Sequence, residues 1–174
     1  MDLLDALILG ILQGITEFLP VSSSGHLVLG QKLLGINVPG NAFEVILHIG
    51  TLMSILVLFW PDIHRLLDGI NDPHVRRYIF NLVLGTIPAI IVGLSLKDQV
   101  ISMFDNAYSV ALALIITGII LIFSKWFLNK KSDLTLVKGF CIGLAQALAI
   151  IPGISRSGAT ICAGLMMGLS SEEA

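Results

Sequence analysis

Ionisable side chains are few in the apolar stretches of this 174-residue sequence, and those that occur there are its first candidates for chemistry. They are Glu17, His26, Glu44, His48 and Arg156. Placing a charged group in lipid costs a few kcal/mol, so such a group inside an apolar segment is a functional candidate by default. The neighbours of each residue indicate what it can do.

Gln13 and Glu17 are spaced i, i+4, which places both side chains on one helical face directed toward a break at Pro20. A carboxylate at this position can bind a divalent cation, orient a water molecule or accept a proton. The alternative interpretation is a single buried Glu17 that pairs with Arg156 for structural reasons.

Three serines, Ser22, Ser23 and Ser24, are followed by Gly25 and His26. Hydroxyls beside an imidazole in a water-poor site are the ingredients of an activated nucleophile or of general acid/base catalysis. A serine-rich helix cap next to a hydrogen-bonded histidine explains the same residues equally well.

Arg156 lies between Ser155 and Ser157, directly before an apolar segment. Backbone N–H groups at a helix start, two hydroxyls and a guanidinium together form a cradle for a phosphate. Thr160, one turn further along, adds another hydroxyl. A structural arginine paired with Glu17 is the alternative.

Glu44 and His48 are also spaced i, i+4, at the start of a long apolar segment. They are secondary candidates that line the entrance of a site, and a glutamate–histidine pair at the membrane interface is an equally good interpretation.

The composition places these residues in a membrane protein. Apolar residues make up 55% of the chain and charged residues 13%, and the mean hydropathy is +0.92. A soluble domain has about 45–50% apolar and about 25% charged residues. The formal net charge of -2 provides no basic field for nucleic acid, which we exclude as a partner.

Three segments are long and apolar enough to cross a bilayer, namely 44–60, 78–96 and 107–128. The connection 61–77 and the connection after residue 128, which includes Lys130 and Lys131, are rich in basic residues. The positive-inside rule therefore predicts that both are cytoplasmic and that the stretch 97–106 is external.

Two further apolar regions, 3–34 and 139–169, are interrupted by proline and by serine and glycine clusters. At membrane depth such a break survives only where it is buried in protein or lines a wet cavity, so we expect two re-entrant hairpins of broken helices. At a constant offset of 133 residues, the second region repeats polar and small residues of the first, namely Gln13 as Gln146, Ser22 as Ser155, Ser24 as Ser157 and Gly25 as Gly158.

Three spans between two such hairpins place them on opposite sides of the membrane, as in an inverted-topology repeat whose breaks form a site near the midplane. The first hairpin is expected to enter from outside and the second from the cytoplasm. We therefore predict an all-α polytopic membrane protein whose residues 1–174 form a single membrane domain.

The run 13–26 and the run 152–160 closely resemble the two signature motifs of bacterial undecaprenyl-diphosphatase of the bacitracin-resistance type, and residues 43–46 also resemble that family. The resemblance implies hydrolysis of undecaprenyl diphosphate to undecaprenyl phosphate and inorganic phosphate. This reaction recycles the lipid carrier for peptidoglycan synthesis and gives bacitracin resistance. It also implies a multi-pass protein of the bacterial plasma membrane with its site on the external side.

By position, the resemblance implies that Glu17 binds Mg²⁺ or Ca²⁺, with Gln13 as a weaker second ligand, or that Glu17 assists as a base. It implies that His26 and Ser23 act on the phosphorus, and it leaves the nucleophile open. The residues expected to bind the diphosphate are those with hydroxyl or guanidinium groups beside the two breaks: Ser22, Ser24, Ser155, Arg156, Ser157 and Thr160.

The expected partners are a polyprenyl diphosphate lipid and the bilayer, with a homodimer as an open option. Members of the family are longer than this chain, so we expect a fragment that lacks C-terminal spans. The alternative function is a transporter or flippase for a lipid phosphate or an anion, because inverted repeats with broken helices are also the architecture of secondary transporters. The acid/base pair of Glu17 and His26 favours the hydrolase.

Overall fold

The computed structural model describes residues 2–36, 42–128 and 132–174, and within these ranges the chain contains helices and no β-strand. The all-α prediction is confirmed for this part of the chain. Lys130 and Lys131, on which part of the predicted orientation rests, lie outside the described residues. The α-helices are, in chain order, α1 (Leu3–Glu17), α2 (Ser23–Leu33), α3 (Ala42–Leu58), α4 (Trp60–Asp68), α5 (Pro73–Ser95), α6 (Lys97–Phe104), α7 (Ala107–Ser124), α8 (Leu136–Leu148) and α9 (Arg156–Met166).

Two helices in the described ranges are by themselves long and apolar enough to cross a bilayer. Pro73–Ser95 has 23 residues, and α7 with the 3-10 turn that follows it covers the 21 residues of Ala107–Phe127. At 1.5 Å per residue, both reach the roughly 30 Å thickness of the hydrocarbon core. They coincide with the predicted spans 78–96 and 107–128, and α5 continues through Pro88 without interruption.

The predicted span 44–60 differs from a straight helix. Helix α3 has 17 residues and ends at Leu58, and α4 begins at Trp60 with a bend of 63° between the two. Pro61 occupies the first turn of α4, where its missing N–H is tolerated, so the chain restarts a helix there instead of extending α3. Counting the bent pair as one span raises the number of candidate spans among the described residues to three.

The stretch 97–106, predicted as a plain external connection, contains the short helix α6. Val100 and Phe104, one turn apart on this helix, face a cleft that also contains the predicted site residues. The connection therefore contributes side chains to the site region, which the charge pattern alone did not indicate.

Each of the two interrupted regions consists of two helices with a break between them. The breaks cover residues 18–22 and 149–155, and each ends in a serine that caps the next helix. Ser22 Oγ accepts a hydrogen bond from the Gly25 N–H at 3.4 Å, and Ser155 Oγ accepts one from the Gly158 N–H at 3.1 Å. The residues that match at the offset of 133 therefore make the same capping bond in both places.

The two breaks contact each other through glycines. A Cβ atom at Gly25, in the first turn of α2, would lie 2.9 Å from the Cα of Gly153 in the second break. A Cβ atom at Gly158, in the first turn of α9, would lie 3.0 Å from the carbonyl oxygen of Pro20 in the first break. Each helix start therefore packs against the break of the other region.

Polar residues are concentrated inside this fold and large apolar residues outside it. Gln13, Glu44 and Thr117 are buried, whereas Leu3 is 88% exposed and Leu94 is 75% exposed. An apolar exterior around a polar interior suits a protein whose surface faces lipid, because lipid tails do not penalise exposed leucine.

Candidate functional site

A cleft of about 700 Å³ opens where the starts of α2 and α9 meet α3 and α6. At the first break and the adjoining ends of α1 and α2 it is lined by Glu17, Ser22, Ser23 and Ser24. At the end of the second break and the start of α9 it is lined by Ser155, Arg156, Ser157 and Thr160, and from α3 by Glu44 and His48. Gln13 and His26 are absent from the residues that line it.

The Glu17 carboxylate is the centre of a hydrogen-bonded cluster. Ser23 donates its hydroxyl hydrogen to Glu17 Oε2 at 2.5 Å, and Gln13 Nε2 donates to the same oxygen at 3.0 Å. The side chain of Glu17 is 26% exposed, so the carboxylate is held from inside the protein and remains accessible from the cleft.

His48 completes this cluster from α3. Its Nε2 atom lies 3.4 Å from Ser23 Oγ and 3.4 Å from Glu17 Oε2. The structure therefore places the His48 ring beside Glu17, and these two described residues, Glu17 and Arg156, do not form the ion pair that the structural alternative required.

Gln13 lies beneath the cleft and holds Glu17 in place. It is 1% exposed, and its Nε2 atom also points at Thr51 Oγ1, at 3.4 Å. Its Oε1 atom is buried without a hydrogen-bond partner in the described part of the chain. A buried, unpaired amide oxygen is costly, so a ligand or water there would relieve that cost.

The Glu44 side chain is hydrogen-bonded to α2. It is 4% exposed and accepts a hydrogen bond from Gln31 Nε2 at 2.5 Å, while its Oε2 atom is buried with no partner among the described residues. Its backbone carbonyl accepts from His48 Nδ1 at 2.6 Å. Glu44 thus supports the cluster through its backbone.

His26 bonds the backbone of the first break and is not among the residues that line the cleft. Its Nδ1 atom bonds the carbonyl oxygen of Ser22 at 2.8 Å, and the imidazole beside the Ser23 hydroxyl belongs to His48. Ser22 has a φ of +68°, a backbone conformation that residues other than glycine rarely adopt. The bond from His26 to the Ser22 carbonyl helps to hold this conformation. Direct action of His26 on the phosphorus stays a prediction.

The second break is held by one buried hydroxyl of α7. Thr117 Oγ1 donates to the carbonyl of Gly153 at 2.8 Å and accepts from the N–H of Ser155 at 3.0 Å. Gly153 has a φ of +98°, and a Cβ there would lie 2.5 Å from the carbonyl oxygen of Val110, so only glycine fits. The break is thereby anchored directly before Arg156.

The electrostatics of the cleft suit a polyanion. The N-termini of α2 and α9 both reach it, and the first N–H groups of a helix have no acceptor within the helix. The exposed guanidinium of Arg156 adds a full positive charge at the second of these N-termini. Two helix starts and one arginine facing a common space have the charge and the donors that phosphate groups require.

The chain offers few ligands for a metal ion. Among the described residues, no group of three or more histidine, cysteine, aspartate or glutamate side chains is arranged to hold one. The available oxygens are the Glu17 carboxylate, the unpaired Gln13 Oε1 and nearby hydroxyls. Such a set would suit Mg²⁺, which keeps several waters and takes only one or two carboxylates from the protein.

Sequence reasoning underrated His48 and missed Thr117. A signal for His48 existed, because Glu44, His48 and Thr51 form a polar row on one face of an otherwise apolar helix. No comparable signal marks Thr117, since a lone threonine in an apolar span is ordinary.

The sequence profile of the family described as bacitracin resistance protein BacA matches residues 6–174. A protein of Methanosphaera stadtmanae named undecaprenyl-diphosphatase is 40% identical, over 100% of this chain and 70% of its own length. Proteins with the same name from Bacteroides thetaiotaomicron and Halothermothrix orenii are 43% and 41% identical, over 97% and 100% of this chain.

The chain spans 66% of the length of the Bacteroides protein and 68% of that of the Halothermothrix protein. The family match covers both breaks and every residue that lines the cleft. This multi-pass membrane chain belongs to the bacitracin resistance protein BacA family.

Proposed function

We propose that this chain hydrolyses undecaprenyl diphosphate to undecaprenyl phosphate and inorganic phosphate in the cleft between the two breaks. The observation that carries the proposal is the position of the Ser23–Glu17 pair in the same cleft as Arg156. The name undecaprenyl-diphosphatase of relatives at about 40% identity supports it. The product lipid returns as the carrier for cell-wall synthesis, and its recycling gives bacitracin resistance.

The diphosphate is bound from the α9 side. Arg156 donates to phosphate oxygens, and Ser155, Ser157 and Thr160 surround it with hydroxyls. Ser22 and Ser24 supply hydroxyls at the N-terminus of α2. Two helix starts match the two phosphates of the substrate, because each favours a negative charge.

The polyprenyl tail leaves the cleft along α3. Val45, Ile49 and Leu52 line the cleft in the i, i+4, i+7 pattern of one helical face. An apolar wall beside a phosphate cradle suits a lipid that keeps its tail in the bilayer while its head group reacts.

The attack on phosphorus starts at the Ser23–Glu17 pair. Glu17 takes the proton of the nucleophile, which is either the Ser23 hydroxyl or a water molecule held by the two residues. The new P–O bond forms at the terminal phosphorus as its bond to the bridging oxygen breaks, so undecaprenyl phosphate is the leaving group. Arg156 with the helix N-termini stabilises the negative charge on this leaving group. When Ser23 attacks, water hydrolyses the phosphoserine in a second step and releases inorganic phosphate.

A divalent cation, Mg²⁺ or Ca²⁺, belongs to the proposal as a cofactor. Glu17 would hold it with the Gln13 amide oxygen and substrate oxygens, and it would neutralise charge on the phosphates. The unpaired Gln13 Oε1 is the observation that supports this.

We further propose that both helix–break–helix regions are re-entrant hairpins of an inverted-topology repeat. Three observations support this arrangement: the offset of 133 residues, the equivalent serine caps and the reciprocal contacts of Gly25 and Gly158. In such a fold the site lies within the membrane. By the charge rule its opening faces the external side of the bacterial plasma membrane.

The test is the release of inorganic phosphate from undecaprenyl diphosphate in detergent micelles, with and without EDTA. The Bacteroides thetaiotaomicron relative serves as the positive control. If the wild-type chain releases phosphate, and EDTA suppresses and Mg²⁺ restores this release, both the reaction and the divalent cation are supported. Release that EDTA does not affect contradicts the proposed divalent cation.

An active control beside an inactive, well-folded chain overturns the hydrolase for this chain. The contact between the two breaks then favours the transporter, because broken helices that meet in a site are also typical of secondary transporters. Movement of a labelled lipid phosphate across chain-containing liposomes measures that activity.

A further inference from the structure

We infer that His48 is a positioning residue of the proposed hydrolase, which holds the Ser23 hydroxyl and the Glu17 carboxylate in their reactive arrangement. The inference rests on the proposed function and assigns part of the site to α3, outside both breaks. The two motifs of the breaks do not contain this residue.

The orientation of the imidazole is determined by its own helix. His48 Nδ1 lies 2.6 Å from the carbonyl oxygen of Glu44, one turn earlier in α3. A carbonyl oxygen only accepts hydrogen bonds, so Nδ1 carries a hydrogen and the opposite nitrogen, Nε2, points into the cluster.

The Nε2 atom forms one corner of a triangle. It lies 3.4 Å from both Ser23 Oγ and Glu17 Oε2, and these two oxygens are 2.5 Å apart. In the neutral ring Nε2 is an acceptor, as is Glu17 Oε2. The two acceptors available to the Ser23 hydroxyl hydrogen therefore lie on the same side of Ser23 Oγ. The lone pairs of Ser23 Oγ are then directed toward the cleft, where the proposed function places the phosphorus of the substrate.

The ring also limits the movement of Glu17. Its Nε2 atom lies in contact with Glu17 Oε2 at 3.4 Å, and the described hydrogen-bond donors to that carboxylate, Gln13 and Ser23, both approach the same oxygen. The side chain of His48 is 36% exposed, so an apolar replacement fits at the cleft wall without an unpaired buried group. A packing role and a hydrogen-bonding role can therefore be separated by substitution.

Two variants separate these roles. His48→Leu keeps apolar bulk on an apolar helix and removes both ring nitrogens. His48→Gln replaces Nε2 with a side-chain amide of similar reach that can donate or accept. Ile46→Ala is the matched control, because Ile46 lies on the same helix, is 64% exposed and is not among the residues that line the cleft.

The experiment measures kcat and KM for phosphate release from undecaprenyl diphosphate, with the Tm of each variant in detergent. His48→Leu is expected to lower kcat about 10- to 100-fold with KM within about threefold of wild type, an effect of the size expected for a misplaced reacting group. His48→Gln is expected to restore kcat to within about fivefold of wild type, and Ile46→Ala to match wild type, with similar Tm values throughout.

A His48→Leu variant with wild-type kcat overturns the inference and leaves the proposed function intact. A slow His48→Gln variant whose Tm equals that of wild type also overturns it, because hydrogen bonding then does not explain the loss. A folded wild-type chain that releases no phosphate beside an active relative overturns the proposed function and this inference together.

Discussion

The two breaks share one backbone device and differ in the chemistry they carry. In both, a serine caps the next helix through the glycine three residues later, and a second serine hydroxyl lies within 3.3 Å of the first, in the Ser22–Ser24 and Ser155–Ser157 pairs. At the same register, Glu17 corresponds to Ile150, and Ser23 to Arg156. A common scaffold therefore presents a carboxylate and a serine hydroxyl on one side and a guanidinium on the other.

The supports of the two breaks also differ. The first is held within its own region, by the bond from His26 to the carbonyl of Ser22. The second is held from outside, by Thr117 of α7. The break directly before Arg156 thus takes a hydrogen-bonding support from a neighbouring helix.

Removal of the positive charge of Arg156 is expected to have the largest effect. Arg156→Ala removes the charge that binds the phosphates and stabilises the leaving group, so activity is expected to fall about 10³-fold or more. Arg156→Lys keeps the charge without the bidentate geometry and is expected to retain part of the activity. Initial rates of phosphate release measure both, and a full rate in Arg156→Ala would remove the residue from the site.

Neutralisation of the Glu17 carboxylate is expected to have the second-largest effect on activity. Glu17→Gln removes the base and the cation ligand while it preserves the size of the side chain, so activity is expected to fall about 10²- to 10⁴-fold and stimulation by Mg²⁺ to disappear. Glu172→Gln, at an exposed carboxylate far along the chain, is the matched control. A Glu17→Gln variant that Mg²⁺ still stimulates would argue against a metal ligand at this position.

The contact between the breaks is testable through its glycines. A Cβ at Gly25 overlaps Gly153 and Leu114, so Gly25→Ala is expected to cost roughly 1–3 kcal/mol of unfolding free energy and to lower activity. Gly158→Ala is expected to cost less, since its nearest contact is 3.0 Å. Gly14→Ala is the control, because nothing lies within 4 Å of a Cβ there and alanine favours a helix.

Thermal unfolding in detergent measures all three glycine variants. Equal Tm values for Gly25→Ala and Gly14→Ala would mean that the breaks do not pack against each other as closely as the backbone distances indicate. The reciprocal arrangement that supports the inverted repeat would then lose its main evidence.

The local features of this site could be predicted because neighbouring residues determine them. The prolines, glycines and serine caps of the two breaks act within a few residues, so the helix ends near Glu17 and Leu148 follow from sequence. The serine cap directly before Arg156 is likewise a property of one helix start.

Contacts between distant helices could not be predicted in the same way. The hydrogen bonds from His48 to Ser23 and from Thr117 to Gly153 join residues 25 and 36 positions apart. Which histidine meets Ser23 depends on how α3 packs against α1 and α2, and helix periodicity alone does not determine that packing. His26 is the nearer histidine to Ser23 in sequence, whereas the imidazole in hydrogen-bonding distance of the Ser23 hydroxyl is that of His48.

The smallest effect on activity is expected from loss of the Thr117 hydroxyl, which supports the second break and not the first. Thr117→Val preserves shape but leaves the Ser155 N–H and the Gly153 carbonyl without their buried partner, at a cost of roughly 1–3 kcal/mol. Because these groups lie directly before Arg156, KM is expected to rise severalfold while the Ser23–Glu17 cluster is untouched. Thr117→Ser retains the hydroxyl and is expected to restore KM, since hydrogen bonding and not the methyl group anchors the break. A wild-type KM in Thr117→Val would show that the second break holds its shape without α7, and both breaks would then be supported from within their own regions.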